Sequence, residues 1–258
     1  MNPTTDDVDR ESVLALFETV AERAGEVLAA NDDWSRSGRR DSQYSIDVDV
    51  DAVCLEIVHG AGFAVLSEES GVTAADGSQL DVAPSRIVVV DPLDGSTNAA
   101  LGLPWCATAL CLVMDGVAEV ALVRNLRTGD VFTALRGRGA HRNGRRLSVA
   151  DPVALTDAIV AANARPPDGF GAQQFRCTGS TALDIAMVAD RGFDASIDFD
   201  DGMIGVWDYL ASILIVEEAG GVVADALGRD LLTLDHTARR RPVVATSSSL
   251  LGELLAVV

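Results

Sequence analysis

The stretch Ile87-Val88-Val89-Val90-Asp91-Pro92-Leu93-Asp94-Gly95-Ser96-Thr97-Asn98 constrains this chain more than any other. Four β-branched residues run straight into an acid, which predicts a buried strand with Asp91 at its carboxyl end. Pro92 fixes φ and removes a ladder donor, so the strand is expected to end there. Gly95 lets the backbone turn and lets a ligand approach the chain closely. Ser96, Thr97 and Asn98 are helix-starting residues. Two carboxylates three apart on one turn suit a hard divalent cation, and the N–H groups of a helix start suit a phosphate.

This turn resembles the D-P-L/I-D-G-[ST]-[ST]-N signature of the inositol monophosphatase family, Mg²⁺-dependent phosphatases acting on small phosphate monoesters. Two further stretches match in order: Leu66-Ser67-Glu68-Glu69-Ser70 upstream, and Trp207-Asp208 followed by Glu218-Ala219-Gly220-Gly221 downstream. The resemblance implies an α/β fold, the layered αβαβα sandwich of sugar phosphatases, with the metals between two sheets. It also implies a homodimer and inhibition by Li⁺.

Hydrolysis of a phosphate monoester requires that charge on the phosphoryl oxygens be offset, a water be made nucleophilic and the leaving alkoxide be stabilised. By resemblance, Glu68, Asp91, Asp94, Asp208 and the Leu93 carbonyl are the metal ligands, holding roughly two to three Mg²⁺ per active site. Ser96 then pairs with an acid that orients the attacking water. That acid is assigned to Asp51 from the family's V-T-x-x-D pattern, with Asp47 and Asp49 as competing registers. Phosphate oxygens are expected on the backbone N–H groups of Gly95, Ser96 and Thr97. Gly179, Ser180 and Thr181 match a small-residue loop lining the pocket. Asp201, seven residues before Asp208, matches an acid that binds substrate hydroxyls; a solvated acidic loop of Asp198, Asp200 and Asp201 is the equal alternative.

Composition narrows the function classes. A net charge of −19 argues against a broad face for nucleic acid or anionic membrane, while a bound metal would still permit phosphate. All 20 basic residues are Arg, which excludes a Schiff-base or P-loop lysine. It also counts against an aspartyl-phosphate phosphatase, which needs a catalytic Lys and acids two apart. A third class, a regulatory or binding protein of the same fold with little turnover, is disfavoured because every ligand position carries a suitable residue. Cys54, Cys106, Cys111 and Cys177 form no CxxC pair and read as reduced core residues of a cytoplasmic protein. Residues 1–11 show no signal-peptide pattern, and no apolar run approaches membrane-spanning length.

Along the chain, apolar residues at helical spacing predict a helix over 10–30, followed by a polar loop over 31–40. Ile46, Val48 and Val50 alternate with acids, which predicts a strand over 44–51 leading to Asp51 as the cap of a helix over 52–59. Strands are expected at 63–66, 107–114, 117–123, 130–134 and 139–149, with hairpin turns at Asp115-Gly116 and Asn143-Gly144. Residues 158–163, 193–197, 222–224 and 242–246 read as strands. Residues 181–189, 209–219 and 249–256 read as helices, the second capped by Asp208 and ended by Gly220-Gly221. A change of character near 150–156 divides an N-terminal half, 1–150, from a C-terminal half, 151–258. The segments most apt to decide substrate choice are 165–176 and 198–205. Asp47 to Asp51 superficially resembles a Ca²⁺ loop, but Ala52 and Val58 stand where Gly and Glu are required. The basic hairpin 136–146 resembles the family's G-x-G-A-x-x-N-G turn. His59, His141 and His236 lack partner spacing and read as structural or exposed, and Trp105 as packing.

Overall fold

The computed structural model describes residues 9–38, 43–200 and 202–258. Part of the loop expected over 31–40, most of the polar N-terminal segment and Asp201 therefore lie outside the described residues. The first helix, α1 (Arg10–Ala30), forms where expected, with Asp9 capping it and Val13, Phe17, Val20, Ala24 and Leu28 along its buried stripe.

The next element differs from the expectation. Residues 44–51 are not a strand; they open the helix α2 (Ser45–Gly60). The alternation of Ile46, Val48 and Val50 was the wrong period. Ile46, Val50, Cys54 and Val58 are spaced four apart, and these are the residues the helix buries, while Val48 is left half-exposed. Asp51 consequently sits inside the helix and does not cap it. The acid that meets the helix start is Asp47, whose Oδ2 accepts the Tyr44 N–H at 2.8 Å.

Eight strands form the first sheet: β1 (Ala64–Ser67), β2 (Gly71–Thr73), β3 (Arg86–Asp94), β4 (Ala107–Met114), β5 (Val117–Asn125), β6 (Val131–Leu135), β7 (Gly139–Arg142) and β8 (Arg145–Arg146). Their spatial order is β2-β1-β3-β4-β5-β6-β7-β8. Every pairing is antiparallel except β1 with β3, which run parallel and so bring the ends carrying Glu68 and Asp91 to the same edge. Pro92 does not end β3. It lies in an irregularity between Asp91 and Asp94, where no ladder donor is required, and its carbonyl accepts the Thr108 hydroxyl at 2.7 Å. The five-residue helix α3 (Ser96–Ala100) follows.

The second sheet contains β9 (Ile159–Asn163), β10 (Gln174–Arg176), β11 (Ala195–Asp198), β12 (Val222–Asp225) and β13 (Pro242–Ala245), in the order β10-β9-β11-β13-β12. Helices α4 (Thr181–Ala189) and α5 (Val206–Glu218) pack against both sheets. They are apolar nearly all round, as a helix buried on both sides must be. On the outer face of the first sheet lie α1 and α2; on the outer face of the second lies α6 (Ser248–Leu255). The result is the layered αβαβα sandwich. Helix α5 starts before Asp208, at Val206, with Gly205 at the cap position. Cys54, Cys106 and Cys111 are buried, but Cys177 is exposed and is not a core residue. Among the described residues no helix is long and apolar enough to cross a membrane.

Candidate metal centre

Three acids from three elements meet at one point. Glu68 opens the turn between β1 and β2, Asp91 sits at the irregularity in β3, and Asp208 lies in the first turn of α5. One carboxylate oxygen from each lies within 4.8 Å of the other two. Asp91 Oδ1 accepts the Leu93 N–H at 3.1 Å, and Asp208 Oδ2 accepts the Gly205 N–H at 2.6 Å. Asp91 is 1% exposed, and its Oδ2 is buried with no hydrogen-bond partner.

Such a cluster is costly on its own. Burial first, then the charges of Glu68, Asp94 and Asp208, hold the Asp91 carboxyl well above the usual range. Burial and the charges of Glu68 and Asp94 raise Asp208 likewise, with the Arg239 guanidinium pulling weakly against them. An orphaned buried oxygen inside an all-carboxylate donor set fits a hard divalent cation, which reverses the local charge logic.

Asp94 stands beside this group, not inside it. Its Oδ2 accepts the Ser180 hydroxyl at 2.6 Å and the Ala182 N–H at 2.8 Å, so it is turned toward the start of α4. Burial pushes its carboxyl up to about 6 against those hydrogen bonds. Gly95 is left-handed at φ 79°, and a Cβ there would stand 2.9 Å from the carbonyl oxygens of both Gly179 and Trp105. Asn98 holds the same crossing: its Nδ2 donates to the Trp105 and Thr178 carbonyls, each at 2.8 Å. The turn of β3–α3 and the loop 178–180 are thereby locked together, with Gly179 and Ser180 against Gly95.

Asp51 lies buried inside α2. Its Oδ1 accepts the Ser67 hydroxyl at 2.5 Å, and its Oδ2 accepts the Ser70 hydroxyl. It thus buttresses the turn that carries Glu68. Of the competing registers, Asp49 is exposed, whereas Asp47 is buried near the start of α2. Asp198 is buried, contrary to a solvated loop, and burial raises it to about 6.

Two roles escaped the sequence reading, those of Asp184 and His236. Asp184 accepts the Trp105 Nε1–H at 2.9 Å and the Thr178 hydroxyl, so Trp105 does more than pack. Its signal was a lone acid in an otherwise apolar helix. Asp47, one of the competing registers, falls at the helix start because residues 45–51 are helical. His236 approaches the Glu68 carbonyl to 3.2 Å, and no local pattern announced it.

A family model described as "Inositol monophosphatase family" matches residues 2–258. The chain is 29% identical over 256 residues to an inositol monophosphatase of Mesembryanthemum crystallinum, covering 91% of this chain and 93% of that one. It is 34% identical over 210 residues to a fructose-1,6-bisphosphatase/inositol-1-monophosphatase of Archaeoglobus fulgidus, covering 79% of each. A crystal structure of the extragenic suppressor protein suhB from Bartonella henselae superposes with a TM-score of 0.79 at 26% identity, covering 95% of this chain and 98% of that one.

Proposed function

The chain belongs to the inositol monophosphatase family, and from that premise we propose that it is a Mg²⁺-dependent phosphatase of a small phosphate monoester. The substrate class is a phosphorylated polyol like inositol monophosphate, a sugar phosphate, a nucleotide or histidinol phosphate. The observation that carries this reading is the meeting of Glu68, Asp91 and Asp208 within 4.8 Å, with the buried Asp91 Oδ2 lacking a partner.

In this proposal Glu68, Asp91 and Asp208 hold the metal, with Asp94 and the Leu93 carbonyl completing the donor set. Bound magnesium supplies charge for the phosphoryl oxygens and the leaving alkoxide and makes water more acidic. The chain's own groups do the rest. The N–H groups of Gly95, Ser96 and Thr97, at a helix start where backbone donors lack intrahelical partners, receive phosphate oxygens. Ser96, with an acid of α2, orients the attacking water. The sequence assigns that acid to Asp51; because both its oxygens accept the Ser67 and Ser70 hydroxyls, Asp47 is the better candidate. The small-residue loop Gly179, Ser180 and Thr181 is assigned to the leaving-group side of the pocket, and Asp201 keeps its assignment as the acid for substrate hydroxyls from the family resemblance alone. A cytoplasmic homodimer is part of the same proposal, and sedimentation of the purified protein checks the oligomeric state.

The likeness to a protein called an extragenic suppressor favours a second reading, a catalytically weak regulatory or binding protein. The full set of acids supports turnover instead. Phosphate release from a panel of monoesters decides between the two. Mg²⁺-dependent release that chelation abolishes is expected; no release from any monoester at saturating Mg²⁺ would overturn the phosphatase reading.

A further inference from the structure

We propose that His236 is a positioning residue that sets the separation of Glu68 from Asp208, an inference that rests on the metal-centre reading above. These two acids come from different layers of the fold and repel one another, so something must hold them at ligand spacing. The loop joining β12 to β13 reaches both through His236. The ring of His236 lies 4.7 Å from that of Trp207, the residue preceding Asp208, at an interplanar angle of 32°. Its Nε2 lies 3.2 Å from the Glu68 carbonyl, and since a carbonyl only accepts, the imidazole donates. One side chain therefore touches the backbone of one ligand and the immediate neighbour of the other.

The Trp207 end of this strap is fixed. Trp207 is 5% exposed and folds back over Gly205, where a Cβ would overlap its ring. The Arg239 guanidinium stands 5.1 Å from the ring centroid, and its Nη1 donates to the carbonyls of His236 and Ala238, each at 2.9 Å. Asp235 shapes the loop by accepting the Thr237 N–H and hydroxyl, each at 2.8 Å. The Glu68 end is fixed from the opposite side, because Asp51 holds the flanking Ser67 and Ser70. A groove of about 480 Å³, lined by residues including Gly71, Val72, Leu80 and Thr237, opens directly beside His236. The His236–Glu68 bond is thus a discrete tie at the edge of an open groove, which its removal leaves standing. Groups that orient metal ligands from behind typically change metal affinity by about 10–100-fold.

The test is calorimetric titration of Mn²⁺ into the full-length protein without substrate, beside the melting temperature of the metal-free protein. His236→Ala is expected to weaken Mn²⁺ binding about tenfold with little change in metal-free melting. His236→Gln, which keeps an N–H donor, is expected to recover part of the loss. Unchanged affinity in folded His236→Ala overturns the inference. Should that variant not fold, His236→Leu is compared with His236→Gln, and equal affinities overturn it. If the wild-type protein binds no Mn²⁺, the metal-centre reading itself falls, a result distinct from wild-type binding that is insensitive to position 236.

Discussion

Asp94 and Ser180, 86 positions apart in the chain, are joined by a hydrogen bond of 2.6 Å from the serine hydroxyl to the carboxylate Oδ2. The same oxygen takes the Ala182 N–H at 2.8 Å. An acid of the metal-site turn is therefore also the anchor for the start of α4, and a substitution there must be read on both counts.

Asp94→Asn separates them. An amide oxygen still accepts from Ser180 and Ala182, so the fold is expected to survive, while the charge that assists the neighbouring cluster is lost. Turnover should fall by at least about 100-fold at fixed Mg²⁺, with the circular dichroism spectrum unchanged. Near-normal turnover in a folded variant would remove Asp94 from the ligand set.

Gly95→Ala tests the crossing beside it. The backbone there is left-handed at φ 79°, and the added methyl would stand 2.9 Å from two carbonyl oxygens that belong to backbone and cannot swing aside. Strain and clash together predict a loss of about 2–4 kcal/mol, read as a lowered denaturant midpoint. A midpoint within error of wild type would contradict the close approach of the 178–180 loop.

The two buried acids of α2 are predicted to fail in different ways. Asp51→Asn leaves one of the Ser67 and Ser70 hydroxyls without its carboxylate acceptor, at a cost of about 1–3 kcal/mol, and loosens the Glu68 turn. It should lower stability and raise the Mg²⁺ concentration needed for half-maximal rate. Asp47→Asn should instead lower kcat with Mg²⁺ dependence kept. Measuring both constants for both variants checks the assignment, and the reverse pattern would return the water-orienting role to Asp51.

How far these roles were legible depends on how local they are. The turn 91–98 announced itself because a strand, a glycine and paired acids coincide within one short window. Helix α1 was legible because its apolar stripe persists over 21 residues. Residues 44–51 misled because Ile46 and Val50 satisfy a period of two and a spacing of four at once. Only the continuation through Cys54 and Val58 distinguishes them, and it lies beyond the window in which acids alternate. The Asp94–Ser180, Asp184–Trp105 and His236–Glu68 contacts were invisible for another reason: each joins segments that only the layered packing brings together.

Asp184 lies 4% exposed in the layer between the sheets. Burial raises its carboxyl to about 7, while the hydrogen bonds from Thr178 and Trp105 pull it down. In the unfolded chain the same group titrates near 3.9. The folded state holds the proton more tightly, so its contribution to stability is full below about pH 4 and is lost as the pH climbs through about 7. Both donors use Oδ1, and an amide oxygen serves them equally well. Asp184→Asn should therefore keep the local geometry and remove this titration. With Mg²⁺ held constant, its melting temperature should fall less than that of wild type between about pH 4.5 and 8. Parallel curves would mean that Asp184 is already ionised in the folded protein at neutral pH, and that the Trp105 contact holds a charge in place of a proton.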